Sequence, residues 1–248
     1  MIFNNFGFNR RAVAGSLVVP VIPVPASAVL NLDAGDPASY PGTGNTWFDL
    51  SAYANNSTLG SGITYTTTGN TNGGFLNFPG SAPNTGSFLN PQGIPTGNSS
   101  YTTATWIRVA ANNRFNGWLG YGAQAESFSN SYRFAAPVDP QNLIQNYWYS
   151  AADFNVPFTP VVNSWYFITY TWNGSTANLY IKGAFTTGST LNHGALAMTN
   201  TNSLAVGIDP PLFSPLSGSL GFIRMQNVAL NSTEVTALYD ATKARYGF

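Results

Sequence analysis

The carboxylates of this sequence are few and widely spaced. Among 248 residues there are nine Asp and Glu side chains, and only Glu126 and Glu234 are glutamates. Retaining glycosidases need an acid and a nucleophile about 5–5.5 Å apart, which on a strand usually means carboxylates at positions i and i+2 or i+4. Asp33 and Asp36 are close in sequence, but they fall in a turn with Gly and Pro, where Asp is a common turn residue. Because no strand carries a suitable pair of carboxylates, the sequence predicts that the protein is not an enzyme.

Other catalytic and metal-binding residues are equally sparse. The chain has no cysteine and a single histidine, His193, which no GxSxG elbow, HExxH motif or phosphate loop accompanies. Calcium binds several oxygens from Asp, Asn and backbone carbonyls, and Asp153 and Asp209 each fall in a predicted loop. Isolated loop aspartates are more often turn formers. We therefore predict no cofactor, leave calcium open and assign no metal ligand.

Aromatic rings stand beside amide side chains in two stretches, a combination that suits a sugar. A sugar site needs an aromatic platform next to planar polar groups. In the run YWY two rings leave one face of a strand and the third leaves the other. The candidate glycan-binding residues are Trp118, Tyr121, Asn146, Tyr147, Trp148 and Tyr149, with Gln145 as a further hydrogen-bonding partner. The alternative for each ring is packing inside the fold or against a neighbouring subunit.

Strands must position these residues, and residues 165–183 give the clearest strand pattern. Large side chains alternate over residues 165–172 so that both faces carry apolar or aromatic groups. Asn173-Gly174 tolerates positive φ and predicts a tight turn, after which residues 177–182 form the return arm. A hairpin that is apolar on both faces needs a neighbour on each side. It therefore predicts the middle of a β-sandwich.

The rest of the chain supplies short strands between turns rich in Gly, Pro and Asn. Strands are predicted at residues 28–32, 75–78, 101–109, 115–121, 132–135, 146–149, 203–208 and 219–228. One helix is predicted near the end, because Asn231 and Glu234 form a capping box while Leu230 and Val235 occupy the positions of a hydrophobic staple. The pattern predicts an all-β sandwich or jelly roll with one short C-terminal helix.

The composition describes a large core and a surface with few charges. Hydrophobic residues make up 44% of the chain and aromatic residues 15%, but only 7% are charged, against about a quarter in an average globular protein. Surfaces made of Asn, Ser, Thr and Gly are usual in secreted, fibrous and virion proteins. The formal net charge of zero predicts no nucleic-acid partner. No stretch reaches the ~20 uninterrupted apolar residues of a membrane span.

Residues 1–28 differ from everything after them. They join an aromatic, Asn-rich start to valines that alternate with prolines, which favours extended or polyproline geometry over a helix. We predict an extended arm that anchors the domain in an assembly through Phe3, Phe6, Phe8, Arg10, Arg11, Val19, Val21 and Ile22. The alternative is a secretory signal peptide, because two arginines, an apolar run and the sequence ASA at residues 26–28 resemble its three parts.

Three blocks of sequence together resemble a laminin-G-like domain of the concanavalin A-like lectin/glucanase superfamily. They are YPGTGNTWFDLS at residues 40–51 with the following Asn55-Asn56, the hairpin at residues 165–183, and GSLGFI at residues 218–223 with the helix after it. The resemblance implies a concanavalin A-like jelly-roll β-sandwich over residues 29–248. Two positions depart from the family pattern. Ala54 stands where a Gly is common, and Lys182 stands where Asp or Asn is usual.

The first and last blocks are most similar to versions found in virion proteins of phages and large viruses. Members of the superfamily often bind glycans on one face, and many bind calcium at its rim, but the fold alone confers neither property. We predict a non-enzymatic virion structural protein, either a capsid decoration or a tail or fibre component. It binds other virion proteins through the arm, forms a homo-oligomer and has host glycans as candidate ligands. The alternative is an extracellular, carbohydrate-binding lectin-like module with a cleaved signal peptide.

Overall fold

A computed structural model of the protein describes residues 22–67, 73–81, 83–88, 90–123, 129–135, 142–149, 153–182, 184–200, 204–209 and 214–248. Its strands are β1 Ala28–Asp33, β2 Thr46–Trp47, β3 Ser57–Leu59, β4 Thr64–Thr66, β5 Phe75–Pro79, β6 Gly86–Phe88, β7 Tyr101–Val109, β8 Asn116–Gly122, β9 Ser129–Ala135, β10 Leu143–Tyr147, β11 Phe154–Pro157, β12 Trp165–Trp172, β13 Thr176–Ile181, β14 Ala184–Asn192, β15 Ala205–Val206 and β16 Ser217–Gln226. Helix α1 spans Ser232–Thr242, and a 3-10 helix follows at Lys243–Tyr246.

The strands pair into two antiparallel sheets that face each other across one core. The first sheet has the order β14-β13-β12-β7-β16-β5-β4, and β1 also pairs with β16, beyond the stretch that β5 covers. The second sheet has the order β11-β10-β9-β8-β15-β6-β3-β2. Strands distant in sequence are therefore neighbours in both sheets, as in a jelly roll. The predicted all-β sandwich with a short C-terminal helix is confirmed.

The hairpin of β12 and β13 lies inside the first sheet and supplies side chains to both of its faces. Tyr166, Tyr170 and Trp172 point into the core between the sheets, whereas Trp165 and Phe167 leave the opposite, outer face. This is the alternation that the sequence predicts for a central hairpin. Fully burying one such ring is worth on the order of 1.5–3 kcal/mol relative to exposure, so the hairpin contributes strongly to both apolar clusters.

The outer face of the first sheet is covered by α1 and the end of the chain. Val235 and Leu238 of the helix are buried in a cluster with Trp106 of β7, and Tyr246 stacks on Trp106 with ring centroids 4.3 Å apart. The capping box is present, because the Asn231 side chain accepts from the first turn and Glu234 accepts from the Asn231 backbone N–H. The helix is therefore part of the folded body. Within the described part of the chain, no helix combines the length and the hydropathy that a membrane crossing requires.

The segment before β1 lies against the same outer face. Ile22 is buried in the cluster that holds Val235 and Leu238, and the guanidinium of Arg224 donates to the Pro23 carbonyl at 2.9 Å. The sequence assigns Ile22 to an arm that contacts other chains, but its side chain packs on its own domain, where it lines an apolar groove together with Leu230 and Leu238. The other predicted arm residues, Phe3, Phe6, Phe8, Arg10, Arg11, Val19 and Val21, lie outside the described residues.

The first resemblance block ties β1 to the second sheet through one buried carboxylate. Asp49 accepts hydrogen bonds from the backbone N–H groups of Asn31, Ser51 and Asn55 at 2.6–2.9 Å and from the Ser51 hydroxyl at 2.6 Å. The Asn55 amide donates to the Val29 carbonyl at 2.8 Å. Because these donors are buried and need partners, the pattern D-L-S followed by an Asn pair has a structural rather than a catalytic purpose.

The two departures from the family pattern fall at left-handed backbone positions. Ala54 has a φ of 50° and Lys182 a φ of 57°. Residues with a Cβ disfavour this region, whereas Gly enters it without strain and Asn and Asp tolerate it. The backbone therefore explains why Gly is common at the first position and Asp or Asn at the second.

Two predicted strands differ from the structure, and one long strand was not predicted. The strand predicted at residues 146–149 is Leu143–Tyr147, because Tyr149 adopts a φ of 59° and leaves the sheet. The strand predicted at residues 203–208 shortens to Ala205–Val206, and Gly207 with a φ of 76° follows it. Ala184–Asn192, which the sequence analysis did not predict, is a strand of nine residues.

Candidate functional site

Four of the six side chains predicted to bind a glycan are buried inside the sandwich. Trp118, Tyr121 and Trp148 belong to the core between the sheets, and at most 1% of each is exposed. Asn146 is also fully buried. A sugar ring must stack on an accessible aromatic face, so these four side chains offer no platform in this structure. The three rings pack inside the fold, which is the alternative to sugar binding for each of them.

Asn146 instead belongs to a hydrogen-bonded group that joins the two sheets. Its side-chain oxygen accepts from the Tyr101 hydroxyl at 2.7 Å, and its amide donates to Asn130 at 2.8 Å. The indole N–H of Trp148 donates to the same Tyr101 oxygen at 3.1 Å. Burial raises the pKa of Tyr101 well above its ordinary value, so the hydroxyl stays protonated. These bonds satisfy polar atoms that would otherwise be costly to bury.

Tyr147 and Tyr149 remain partly exposed, next to polar side chains on the outer face of the second sheet. The strand register places Gln145 of β10 between Arg133 of β9 and Asn155 of β11. The Arg133 Nε donates to Gln145 Oε1 at 2.6 Å, and Gln145 Nε2 donates to Asn155 Oδ1 at 2.5 Å. Three planar polar groups thus stand in a row across three strands. We call Arg133, Gln145, Tyr147, Tyr149 and Asn155 the β9–β11 face.

The Arg133 guanidinium is the support beneath this face. Its Cζ lies 4.4 Å from the ring centroid of Tyr147 and 5.0 Å from that of Phe115. Its Nη1 lies 3.3 Å from Asp209 Oδ2, and the two side chains are 10% and 0% exposed. A guanidinium suits this position because it can stack on rings and donate in its own plane. Arg133 therefore orients Tyr147 and Gln145, while Asp209 balances its charge.

The two aspartates considered for calcium already have protein partners. Asp209 accepts from Arg133 through one oxygen and from the Ser214 N–H at 2.6 Å through the other. Asp153 accepts from the Trp148 backbone N–H at 2.8 Å. Within the described ranges, no three His, Asp or Glu side chains come together as a metal site. Because calcium needs several available oxygens, these two residues do not fit a calcium site in this structure.

The exposed rings of the face form an edge-to-face pair. The Tyr147 and Tyr149 centroids lie 5.7 Å apart with an interplanar angle of 80°. The left-handed backbone that brings Tyr149 to this place carries a strain of about 1–3 kcal/mol, and strain of this kind concentrates at ligand sites. Burial, and then the charge of Asp153, raise the pKa of Tyr147. Its hydroxyl therefore stays protonated at neutral pH and can both donate and accept.

The remaining candidates for chemistry have structural surroundings. His193 packs against the ring of Trp148 at 5.1 Å, and its Nδ1 lies 2.7 Å from the Gly194 carbonyl oxygen. Asp33 pairs with Arg245 at 2.5 Å in the interior. Glu126, the glutamate that no helix cap explains, lies outside the described residues.

Sequence reasoning did not single out Arg133 or Asn155. A local signal exists for Arg133, because it stands between Tyr132 and Phe134, two large side chains that face the core. A polar residue between two core residues points to the opposite face of a strand. The register that aligns Arg133, Gln145 and Asn155 depends on how three strands pair, and a single sequence does not show this.

A family model of the laminin-G type, described as the concanavalin A-like lectin/glucanases superfamily, matches residues 81–236. The matched stretch is more than half of the chain and includes the whole β9–β11 face. None of the curated proteins matches the chain.

Solved structures of several binding domains share the fold. The binding domain of Paraclostridial Mosquitocidal Protein 1 has a TM-score of 0.64 and 15% identity, over 87% of this chain and 52% of that one. The botulinum neurotoxin serotype D ligand binding domain in complex with N-acetylneuraminic acid has a TM-score of 0.63 and 14% identity, over 87% and 51%. Domain 4 of AbnA, a GH43 extracellular arabinanase from Geobacillus stearothermophilus, in complex with arabinotriose, has a TM-score of 0.59 and 14% identity, over 86% and 98%.

The chain spans about half the length of these toxin domains and nearly all of the arabinanase domain. At these identities the likeness concerns the fold. The family match, by contrast, rests on the sequence itself and agrees with two of the three blocks that resemble laminin-G-like domains. The chain therefore belongs to the concanavalin A-like lectin/glucanase superfamily.

Proposed function

We propose that this chain is a non-catalytic, lectin-like domain that binds a glycan through the β9–β11 face. The observation that carries the proposal is the row of Arg133, Gln145 and Asn155, in which two buried groups hold the exposed Asn155 amide beside two partly exposed tyrosine rings. A sugar presents hydroxyl groups at its edge and an apolar surface on its ring faces. Amides and tyrosines together match both parts.

Two structures with the same fold support a sugar as the ligand. The botulinum neurotoxin serotype D domain was solved in complex with N-acetylneuraminic acid, and domain 4 of AbnA was solved in complex with arabinotriose. Both are only 14% identical to this chain, so the residues that contact sugar in those structures cannot be assigned to positions of this chain. The side chains of the β9–β11 face are what this chain itself offers.

The described carboxylates support binding rather than hydrolysis. Those of Asp33, Asp36, Asp49, Asp153, Asp209, Glu234 and Asp240 each accept a hydrogen bond from a backbone N–H, or pair with Arg or Lys, within the fold. A glycosidase needs two carboxyl groups that flank a bound sugar across an open space. Carboxylates already engaged in turns, caps and buried ion pairs are poorly suited to that task.

We further propose that the domain is displayed on a virion, bound to other virion proteins through its N-terminal segment and assembled as a homo-oligomer. The support is the low fraction of charged residues, the apolar and aromatic character of residues 1–21, and the similarity of two sequence blocks to virion proteins. Cleavage of a signal peptide after residue 28 would also remove Ile22 and Pro23, which contact the body. This favours the arm over the secreted alternative.

Deletion of residues 1–21 tests the arm. Because the deletion retains the Ile22 contact, the truncated protein should fold and stay soluble but no longer join its assembly. Mass spectrometry of the native protein supplies a second readout. An N-terminus near Val29, or normal assembly of the truncated protein, would refute the arm and favour the secreted module.

Glycan binding is tested with an oligosaccharide array followed by isothermal titration calorimetry. Replacement of Tyr147 by Ala should weaken binding at least about tenfold, or roughly 1.4 kcal/mol, and Asn155→Ala should weaken it less. The matched control is Tyr53→Ala, since Tyr53 is 40% exposed beside β2 and β3, at the opposite edge of the same sheet. The proposal is refuted if the protein binds no glycan, or if Tyr147→Ala and Tyr53→Ala behave alike.

A further inference from the structure

We infer that the β9–β11 face recognises a neutral sugar and discriminates against an acidic one; the inference rests on the proposed function. The cation of this face is Arg133. Its side chain is only 10% exposed, is paired with Asp209, and is covered by the rings of Tyr147 and Phe115. A sugar carboxylate or sulfate needs an accessible guanidinium or ammonium group to offset its loss of hydration. The face offers it none.

Among the described residues, the charged side chains that act on Tyr147 are two carboxylates and one guanidinium. Burial is the main cause that raises the pKa of the Tyr147 hydroxyl; the charge of Asp153 adds to this rise, Arg133 acts against it, and Asp209 adds a smaller contribution. Because Asp209 and Arg133 offset each other, the charge of Asp153 leaves a net repulsion for an anion placed over Tyr147, and this repulsion weakens as salt increases.

The groups that are accessible on the face are neutral. Asn155 is exposed, and its amide retains donors beyond the bond it accepts from Gln145. The Tyr147 hydroxyl can donate and accept, and the Tyr147 and Tyr149 rings provide apolar surface. These groups match the hydroxyls and ring faces of neutral pentoses or hexoses. They therefore favour uncharged oligosaccharides as the ligands of this lectin-like domain.

The test measures lactose, N-acetylneuraminyl-lactose and arabinotriose against the full chain by isothermal titration calorimetry at low and at high salt. We expect a neutral sugar to bind at least about threefold more tightly than the acidic one at low salt, with a smaller ratio at high salt. Equal affinities, or tighter binding of N-acetylneuraminyl-lactose, would overturn the inference and leave glycan binding intact. If none of these sugars nor any neutral array glycan binds, the proposed function fails, and the inference with it.

Two isosteric variants test the electrostatic cause. Asp153→Asn keeps an oxygen for the Trp148 N–H, and Asp209→Asn keeps one for the Ser214 N–H while leaving the Arg133 charge without its carboxylate. Both variants should raise the affinity for N-acetylneuraminyl-lactose relative to that for the neutral sugars, and Asp209→Asn should raise it more than Asp153→Asn. If Asp209→Asn does not fold, Asp153→Asn alone decides. An unchanged ratio in every folded variant would overturn the electrostatic explanation.

Discussion

Replacement of Arg133 by Met tests whether this arginine supports the β9–β11 face from within. Met retains much of the apolar stem but removes the guanidinium that lies against the rings of Tyr147 and Phe115 and pairs with Asp209. The variant leaves a carboxylate that is 0% exposed without its cation. We expect a large loss of stability at neutral pH, since an unpaired buried charge is far less favourable than a buried pair.

The magnitude follows from the geometry of the ion pair. At 3.3 Å and an effective dielectric constant of about 20, the attraction is about 5 kcal/mol. Releasing Arg133 from a largely buried position offsets part of this, and losing one partner of a buried pair typically costs about 3–5 kcal/mol. Because Asp209 keeps the hydrogen bond from the Ser214 N–H, we expect the low end, about 3 kcal/mol at pH 7.

The loss should shrink as the pH falls. Burial raises the pKa of Asp209, and Arg133 acts against that rise, so the variant carboxyl has a still higher folded pKa. A carboxyl whose folded pKa exceeds its unfolded value, about 3.9, destabilises the fold above that folded pKa. Between the folded and the unfolded pKa, the folded state binds the proton more tightly than the unfolded state does. Lowering the pH through this range therefore removes the destabilisation. Protonated Asp209 needs no cation, and the difference between variant and parent therefore narrows.

The assay is urea unfolding followed by tryptophan fluorescence at pH 7 and at pH 5. Arg108→Met is the matched control, because Arg108 also lies over two rings, Phe75 and Trp165, and hydrogen-bonds Ser219 rather than a carboxylate. The control should lose about 1 kcal/mol or less, equally at both pH values. A loss for Arg133→Met that is below 1 kcal/mol, or that does not change with pH, would refute the role assigned to the pair.

Three further predictions concern the fold and the chemistry. Ala54→Gly should raise the free energy of unfolding by about 0.5–1 kcal/mol, because relief of a φ of 50° outweighs the greater freedom that Gly gives the unfolded chain; a lower melting temperature would contradict this. Leu238→Ala should lower it by about 2–3 kcal/mol, since the side chain is 8% exposed in the outer cluster; a change within error would place the helix outside the cooperative fold. No reducing ends should appear from β-glucans, and release that Glu126→Gln abolishes would show a hydrolase.

The fold was predictable wherever a strand is buried on both faces. Residues such as Trp106 and Phe167 alternate with neighbours that face the opposite cluster, and this leaves a clear pattern in the sequence. Strand β14, with the sequence AFTTGSTLN, was missed. It lies at the edge of the first sheet, and its small polar residues do not alternate in hydrophobicity. Its place in the sheet comes from pairing with β13, which is a tertiary contact.

The proposed site shares Tyr147 and Tyr149 with the residues that the sequence singled out, and glycan binding there stays a prediction. The run of rings at residues 147–149 does mark the β9–β11 face, but Trp148 turns inward to bond Tyr101, and only its two neighbours stay accessible. Alternation shows that adjacent rings leave opposite faces. Which of the two faces is the core depends on the partner sheet. Arg133 and Asn155 were missed for the same reason, since pairing alone brings them to Gln145.

The outer faces of the two sheets have different surroundings, and this difference locates the site. Helix α1, the end of the chain and Ile22 cover the first sheet with an apolar cluster that includes Trp106 and Phe167. On the second sheet, in the described part of β9, β10 and β11, the outward positions hold Arg133, Gln145 and Asn155 instead. Arg133 and Gln145 are themselves buried, and their polar atoms are satisfied by Asp209, by Asn155 and by each other, whereas Asn155 is exposed and Tyr147 and Tyr149 are partly exposed. Under the proposed function, the sugar binds where this face is accessible, at Tyr147, Tyr149 and Asn155.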